Sequence, residues 1–403
     1  MAVLLCLMTK IRNLSPKSFS HIKYFPGTVG NPFDVILHAG TDLDKRLPAW
    51  LFAVILAVLA IIGNLPATLH ERGLPWYAGF LFLFFLSDWL LIALLPLTRR
   101  SFGPVKPVVL MLAVLRIPFY FLPLGWNIAF EVIGTLLVIY GFYLEPFRLD
   151  VHHETFVTAK LSPGHHIRLV HLGDLHLEHS GRREEEIQRK LKELSPDLIL
   201  FSGDVLNLSY LHDPQSQAEA RGFFSALSAP LGVYAASGSP AVDLPDVFPS
   251  LVKQTPLQWL DDRAATQQTG TGALTIYGLT CSHDTAKDDL ALQKLLQKNP
   301  LQDGSFNVLL HHSPDLAPLA SRYGFDMQLS GHTHGGQIRL PFYGALFSGS
   351  LYKKTFEAGR YLVNGMTLYV SRGLGMEGAI APRVRVLCPP EMIVWEITNK
   401  SEY

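Results

Sequence analysis

The sequence contains few cysteines and no excess of charge of either sign. Its three cysteines, Cys6, Cys281 and Cys388, lie far apart and form no C-x-x-C pair. This spacing argues against a disulfide framework and against a thiolate zinc site. Lysine plus arginine equals aspartate plus glutamate at 34 each, so the chain as a whole does not attract polyanions. We therefore expect no nucleic-acid partner, and any phosphate binding must be local.

Charged residues are also scarce relative to apolar ones. They make up 17% of the chain, against 48% for hydrophobic residues, and this balance indicates membrane association. Residues 1–47 lack the charged, apolar and small-residue layout of a signal peptide. The segments Trp50–Leu69 and Trp76–Leu97 are apolar for about the 20 residues that a bilayer-spanning helix needs. These two segments predict two spanning helices.

A third apolar region, from Pro107 to Leu144, is interrupted at 122–125 by Leu-Pro-Leu-Gly and predicts a helical hairpin of two further spans. Arg116 and Glu131 lie equally far from the turn, so we predict an intramembrane ion pair between them. Glu131→Ala should then do more damage than the double substitution with Arg116→Ala. In the alternative, both side chains reach to one membrane interface. Asp88 in the second span is expected to face neighbouring helices, and a transporter-like function rests on these three charges alone.

Basic residues predict the direction in which the chain crosses the membrane. The loop after the first span contains a single one, Arg72, whereas several follow the second and the predicted fourth span. By the positive-inside rule, this distribution predicts four spans with both termini in the cytoplasm, and two spans would give the same orientation. We therefore expect an N-terminal cytoplasmic segment (1–47), transmembrane helices (48–148) and a catalytic domain (151–403) that faces the cytoplasm at the inner (cytoplasmic) membrane.

After Asp150, short apolar segments alternate with helical ones, a pattern typical of an α/β domain. Between Glu184 and Leu194, apolar residues recur on one helical face. A late group of strands predicts a second sheet. The expected fold is therefore a two-sheet sandwich flanked by helices and preceded by a transmembrane α-helical region. The predicted strands are His166–Leu172, Asp197–Ser202, Gly232–Ala236, Asn307–His311, Met327–Ser330, Thr367–Ser371 and Met392–Ile397.

Several predicted strands run directly into potential metal ligands. Because groups beyond the carboxyl ends of strands converge on one crevice, these residues can meet around a pair of ions. Mixed imidazole and carboxylate ligands favour manganese, iron or zinc over magnesium and calcium. Strand alternation directs His311 to the opposite face. The candidate ligands are Asp174, His176, Asp204, His312, His332 and His334.

This ordered set resembles the calcineurin-like metallophosphoesterases, especially the membrane-linked bacterial branch that includes the UDP-2,3-diacylglucosamine pyrophosphatases. The most specific element is Gly-His-Thr-His-Gly-Gly-Gln at 331–337, and the resemblance extends over about residues 165–397 to Tyr-Val-Ser-Arg-Gly-Leu-Gly at 369–375 and Cys-Pro-Pro-Glu at 388–391. It implies a hydrolase that attacks phosphorus with a metal-bridging hydroxide. Its substrate would be a phosphoester or a pyrophosphate.

The resemblance also implies roles for individual residues. Asp174, His176 and His334 would hold the first of two divalent transition-metal ions, Asp204 would bridge both ions, and His312 and His332 would hold the second. Two arginines, Arg339 and Arg372, are candidates for gripping the substrate, whereas Arg182 and Arg183 at a helix start are expected to be solvated.

One motif of the family is absent. The family carries Gly-Asn-His after a short strand, and here Gly232–Ala236 runs into Ser-Gly-Ser-Pro at 237–240. In the family the asparagine is a ligand of the second metal and the histidine assists the leaving group. The second metal site is therefore expected to be weakened. Loss of general acid assistance typically lowers the rate by about 10²- to 10⁴-fold.

Two interpretations follow from this loss. In the first, the enzyme is active on a lipid-linked phosphoester or pyrophosphate at the bilayer, water completes the second metal's shell, and His283 assists the leaving group. In the second, the domain is a catalytically impaired, membrane-tethered binding or regulatory module. The retention of six ligands favours the enzyme, since metal binding is then preserved.

Overall fold

The computed structural model describes residues 9–19, 44–70, 75–270, 272–377 and 382–399. Most of the predicted N-terminal segment, including Cys6, and the predicted loop with Arg72 lie outside these residues. The helices are α1 (Ala49–His70), α2 (Pro75–Ala93), α3 (Lys106–Arg116), α4 (Leu124–Ile139), α5 (Arg182–Leu194), α6 (Pro214–Ser225), α7 (Phe248–Val252), α8 (Thr285–Lys298) and α9 (Ala317–Ala320).

The described residues also form fifteen strands. They are β1 (Lys10–Arg12), β2 (Asp150–Val157), β3 (His166–Leu172), β4 (Leu198–Phe201), β5 (Val233–Ala235), β6 (Leu257–Trp259), β7 (Arg263–Thr269), β8 (Gly272–Leu279), β9 (Ser305–His311), β10 (Met327–Ser330), β11 (Arg339–Leu340), β12 (Gly344–Ala345), β13 (Gly359–Val363), β14 (Met366–Val370) and β15 (Glu391–Thr398).

Most strands belong to two large sheets. One has the order β2-β15-β3-β4-β5-β6, and the other has the order β1-β13-β14-β10-β9-β8-β7. Leu169, Leu200, Val308 and Leu329 belong to one buried cluster that takes residues from both sheets, so the sheets pack face to face. Trp395 lies in this core. The predicted α/β class and its two sheets are confirmed.

Helices cover the outer faces of the sandwich. On the six-stranded sheet, α5 buries Ile187 and Leu191, and α6 buries Phe223 and Phe224. On the seven-stranded sheet, α8 contributes Leu292 to a separate cluster. Because both faces are covered, central strands such as β4 and β9 are buried along their whole length.

The region before the sandwich contains three helices that are long and apolar enough to cross a membrane, within the part of the chain that the structure describes. The qualifying segments are Ala49–Pro66, Trp76–Ala93 and Leu124–Phe147. The first arm of the predicted 107–144 hairpin is shorter than expected. There α3 ends at Arg116 and continues as a 3₁₀ segment, Ile117–Phe121, because Pro118 cannot donate an α-helical hydrogen bond.

The predicted contact between Arg116 and Glu131 is present inside this bundle. The Arg116 Nε lies 3.3 Å from the Glu131 Oε2, and the guanidinium also bonds to the Asp88 carboxylate at 2.5 Å. All three side chains are buried. The Asp88 side chain therefore faces neighbouring helices, as expected, and a single guanidinium is shared by two carboxylates.

Two segments that adjoin the apolar helices contact the sandwich. Strand β1 pairs in parallel with β13, at the edge of the seven-stranded sheet. In the segment between α2 and α3, Ser101 bonds to Glu178, which also pairs with Arg383 at 2.7 Å. The Tyr210 hydroxyl donates to the Phe102 carbonyl at 2.8 Å. The segments before α1 and between α2 and α3 thus both contact the α/β domain.

Candidate metal centre

The candidate ligands leave their strands in an unusual backbone conformation. Asp174, His176, Asp204, His332 and His334 all have positive φ, between 41° and 71°. This region is uncommon for residues other than glycine, and it persists where the surrounding structure enforces it, often at functional sites. The turns place the side chains over the carboxyl ends of β3, β4 and β10.

The loop that follows β5 packs tightly against the ligand loop that follows β4. A Cβ at Gly203, whose φ is +98°, would lie 2.3 Å from the Gly238 Cα, so only glycine permits this approach. The buried Asp243 carboxylate accepts hydrogen bonds from the backbone N–H groups of Asp204, Val205 and Gly238 at 2.7 to 3.0 Å. Sequence reasoning missed Asp243, since a lone acidic residue in a loop carries no motif.

Two groups of three ligands form around Asp174. In the first, the Nε2 atoms of His176 and His334 lie 3.0 Å apart, and the His334 Nε2 lies 3.8 Å from the Asp174 Oδ1. In the second, the His312 Nε2 lies 3.2 Å from the Asp204 Oδ2. Within each group the ligand atoms lie within 4.8 Å of one another, and all the side chains are buried. Asp174 is thus common to both groups, and the Asp204 Oδ2 also lies 3.6 Å from the His176 Nε2 of the first group.

The charges in this pocket fit bound cations. The Asp174 Oδ2 is buried and accepts no hydrogen bond from any residue that the structure describes. Burial and the nearby Asp204 charge raise the pKa of Asp174, although His312 opposes them. Burial also acts to raise the pKa of Asp204, but His312 and His176 outweigh it and lower that pKa. A buried carboxylate oxygen that accepts no hydrogen bond is costly, and a pair of divalent ions would supply positive charge beside it.

His332 also reaches the pocket, although it belongs to neither group of three. Its ring centroid lies 5.2 Å from that of His312, and its backbone N–H donates to the Asp174 Oδ1 at 2.9 Å. Its Nε2 lies 3.0 Å from the Gly349 carbonyl oxygen. The structure therefore brings all six predicted ligands to one place.

Ser239 and His283 occupy the region where the family's Asn-His pair is missing. The Ser239 hydroxyl lies 3.2 Å from both the Asp204 Oδ2 and the His312 Nε2. The His283 Nε2 lies 3.1 Å from that hydroxyl, and its ring centroid is 4.3 Å from that of His332. Burial, together with the neighbouring His332, lowers the pKa of His283. An imidazole from a distant segment thus stands beside the second group.

A carboxylate and a backbone carbonyl contact two of the ligand histidines on the side away from the pocket. The His176 Nδ1 lies 2.7 Å from the Glu377 Oε2, and the His312 Nδ1 lies 2.8 Å from the Ser202 carbonyl oxygen. Such partners fix the ring orientation of metal-ligating histidines. Sequence reasoning missed Glu377, which lies outside the motifs.

The two predicted substrate arginines are engaged by carboxylates. Arg372 pairs with Asp150 at 2.7 Å and with Glu391 at 2.6 Å. Arg339 pairs with Glu357 at 3.2 Å and is only partly buried. These contacts give Arg372 a structural role between β2 and β15. A substrate role for either arginine stays a prediction.

Two further expectations concern residues beside the ligands. His311 points away from the ligand pocket, as strand alternation predicted, and its Nε2 lies 3.3 Å from the Asp288 Oδ2. Arg182 is exposed, as expected. The expectation for Arg183 was wrong, because its guanidinium is buried and bonds to Glu184 at 2.7 Å.

The two-sheet sandwich, whose strand ends carry adjoining carboxylate and histidine groups, has the features expected of a metallophosphoesterase. Residues 167–336 match the family described as calcineurin-like phosphoesterase. This match confirms the resemblance to a family of hydrolases that was drawn from the motifs.

Relatives from several bacteria share most of their length with the chain. An uncharacterized metallophosphoesterase, YkuE of Bacillus subtilis, is 28% identical over 65% of this chain and 90% of its own length. The UDP-2,3-diacylglucosamine pyrophosphatase LpxG of Chlamydia trachomatis is 26% identical over 63% of this chain and 91% of its own. An uncharacterized metallophosphoesterase of Aquifex aeolicus is 29% identical over 67% of this chain and 99% of its own length.

Proposed function

We propose that the protein hydrolyses a phosphoester or pyrophosphate bond of a lipid-linked substrate, and that its helices tether it to a membrane. The observation that carries the proposal is the convergence of six ligand side chains on one pocket, five of them buried and the sixth, His332, half-buried. Support for the substrate class comes from the Chlamydia relative, whose name states that it acts on UDP-2,3-diacylglucosamine.

We assign the ligands to two divalent transition-metal ions, manganese, iron or zinc. Asp174, His176 and His334 would hold one ion, and His312 and His332 the other. Asp204 would bridge the two, since its Oδ2 lies within 3.6 Å of the Nε2 atoms of both His176 and His312. When bound, the ions polarise a phosphoryl oxygen and activate water for attack on phosphorus.

Ser239 and His283 lie beside the second site. The Ser239 N–H donates to the Asp204 Oδ1 at 2.6 Å and so orients the bridging carboxylate. His283 holds the Ser239 hydroxyl through its Nε2, at the place where the family's asparagine and histidine are missing. From there it can assist the leaving group, as the sequence predicts.

The topology supports a domain that lies on the same side of the membrane as the N-terminal segment. Because β1 belongs to the seven-stranded sheet, residues 10–12 and the sandwich cannot be separated by a bilayer. The chain must therefore cross an even number of times between them. Four crossings satisfy this rule if α3 and its 3₁₀ continuation count as one. The basic residues near the second and the predicted fourth span favour the cytoplasm as this side.

A binding or regulatory module is the second candidate. The absence of the Asn-His pair at Ser239 and Pro240 favours it, since one ligand and one catalytic side chain are missing. Such a module would hold metal and a phosphate-bearing ligand without turnover.

One experiment separates the two functions. The purified protein is loaded with manganese, iron or zinc, its bound metal is counted, and hydrolysis of bis(p-nitrophenyl) phosphate and UDP-2,3-diacylglucosamine is measured. Turnover that Asp204→Asn abolishes supports the enzyme. Near-stoichiometric metal without turnover in every loaded form supports the module. Adding Ser239→Asn together with Pro240→His then measures how far the missing pair limits the rate.

A further inference from the structure

An apolar hairpin projects next to the metal centre. It consists of β11, a turn, β12 and the two residues that follow, and we call residues 339–347 the apolar hairpin. The two strands pair through Arg339 with Ala345 and Leu340 with Gly344. Five large apolar side chains of the hairpin are exposed by 47% to 101%: Leu340, Phe342, Tyr343, Leu346 and Phe347.

The base of the apolar hairpin is joined to the helical region. The Arg339 N–H donates to the Val386 carbonyl at 2.9 Å, and Ile338 and Val386 pack against the cluster formed by the apolar helices. The adjoining Arg385 N–H donates to the Gly141 carbonyl at 3.0 Å, near the end of the third apolar segment. The hairpin therefore emerges where that segment returns to the α/β domain.

The same hairpin is joined to the metal centre at both of its ends. Before it, the Arg339 guanidinium donates to the Gly335 carbonyl at 2.9 Å, one residue after the ligand His334. After it, the Gly349 carbonyl oxygen lies 3.0 Å from the Nε2 of the ligand His332. A molecule that touched the hairpin and the metal centre together would need an apolar part and a phosphate part.

The polar surroundings of the hairpin fit a membrane interface. The Lys354 Nζ lies 4.0 Å from the centre of the Tyr343 ring and donates to the Ala345 carbonyl at 2.9 Å. Tyrosine, phenylalanine and lysine together are typical of segments that lie at the boundary between lipid headgroups and acyl chains. Lys354 also forms an ion pair with Glu357.

We propose that the apolar hairpin inserts among the acyl chains of the bilayer beside the helices and guides a phosphate-bearing lipid to the metal centre. This inference rests on the proposed function for its catalytic part. It commits to bilayer lipid as the occupant because the hairpin is continuous with the helical region that enters the membrane. Lipid-borne substrates should then depend on the hairpin, whereas water-soluble phosphoesters should not.

Insertion is measured first, without any catalytic readout. In a Cys6→Ala background, Phe342→Cys is labelled with the environment-sensitive dye NBD, and the full-length protein is reconstituted into vesicles of phosphatidylcholine and phosphatidylglycerol. Cys281 and Cys388 are buried. The matched control is Leu290→Cys on α8, which is exposed by 56% but lies on the domain's outer helix.

We expect a blue-shifted emission at position 342 that spin-labelled lipids quench, and an aqueous emission at position 290. Equal emission and equal quenching at the two positions would overturn the proposal. This result is independent of turnover, so it stands even if the proposed hydrolase function fails.

Catalysis gives the second test. Phe342→Ser together with Phe347→Ser should lower hydrolysis of UDP-2,3-diacylglucosamine in vesicles by about tenfold or more, because two aromatic side chains no longer enter the apolar layer. Hydrolysis of bis(p-nitrophenyl) phosphate should stay within about twofold of the parent, since no metal ligand changes. Equal loss on both substrates, or no loss on either, contradicts the proposal. Absence of both activities in the parent refutes the hydrolase function instead.

Discussion

Substituting Arg116 by methionine tests how the helical bundle tolerates two buried carboxylates. The guanidinium contacts Asp88 at 2.5 Å and Glu131 at 3.3 Å, and the three side chains are buried. Removing one partner of a buried ion pair typically costs about 3–5 kcal/mol, because the remaining charge is left uncompensated. We expect Arg116→Met to lower the free energy of unfolding by at least that amount.

Removing the Glu131 carboxylate should cost less stability than removing the guanidinium. After Glu131→Gln, the pair of Arg116 with Asp88 persists, so the expected cost is only about 1 kcal/mol, the net value of one hydrogen bond. The double substitution Arg116→Met with Glu131→Gln leaves Asp88 alone and should be nearly as damaging as Arg116→Met. This order reverses the one predicted from Arg116 and Glu131 without Asp88.

Equilibrium unfolding in mixed micelles measures these differences, with circular dichroism as the signal. A control with Asp88→Asn, Arg116→Met and Glu131→Gln removes all three charges and should recover most of the lost stability. If Arg116→Met proves no more destabilising than Glu131→Gln, the shared guanidinium does not hold the bundle and the reasoning is refuted.

Three further predictions concern the metal centre. Asp204→Asn should abolish turnover and reduce bound metal, counted by elemental analysis, whereas unchanged metal content would exclude it as a bridging ligand. His283→Ala should weaken binding of the second metal by about tenfold or more in titration calorimetry. Binding of the first metal should be unchanged, because the Ser239 hydroxyl that the His283 Nε2 contacts lies beside the second site. Chelation should lower the melting temperature, since ligands that bind only the folded state stabilise it; an unchanged melting temperature after complete removal would contradict bound metal.

Much of the α/β domain follows from local patterns. The strands His166–Leu172 and Met327–Ser330 were predicted with their observed bounds, because their apolar runs end at a glycine and a ligand. The antiparallel pair β7 and β8 was missed, since β7 is largely polar on a sheet edge and shows no clear apolar alternation. Its pairing is decided by tertiary contacts rather than by propensity.

Some residues of the site can likewise be predicted from the sequence, and others cannot. Ligands within motifs such as Gly-His-Thr-His can be recognised from the sequence, because spacing alone places them on one loop. Asp243 and Glu377 cannot, since Asp243 acts by accepting backbone hydrogen bonds and Glu377 by contacting one histidine ring, and neither belongs to a motif. His283 was selected only for lying in the intervening segment, and its position beside Ser239 depends on how the loop after β8 folds over the pocket.

The pairing of β1 with β13 has a mechanical consequence for the whole molecule. The α/β domain is fastened at residues 10–12, at residues 99–103 and at the junction before Asp150, on three separate segments of chain. A body held at three points cannot swing as it could on a single linker. If the helices span a membrane as proposed, the metal centre keeps a constant height and tilt above the lipid surface, and its encounters with a lipid-borne substrate become a two-dimensional search.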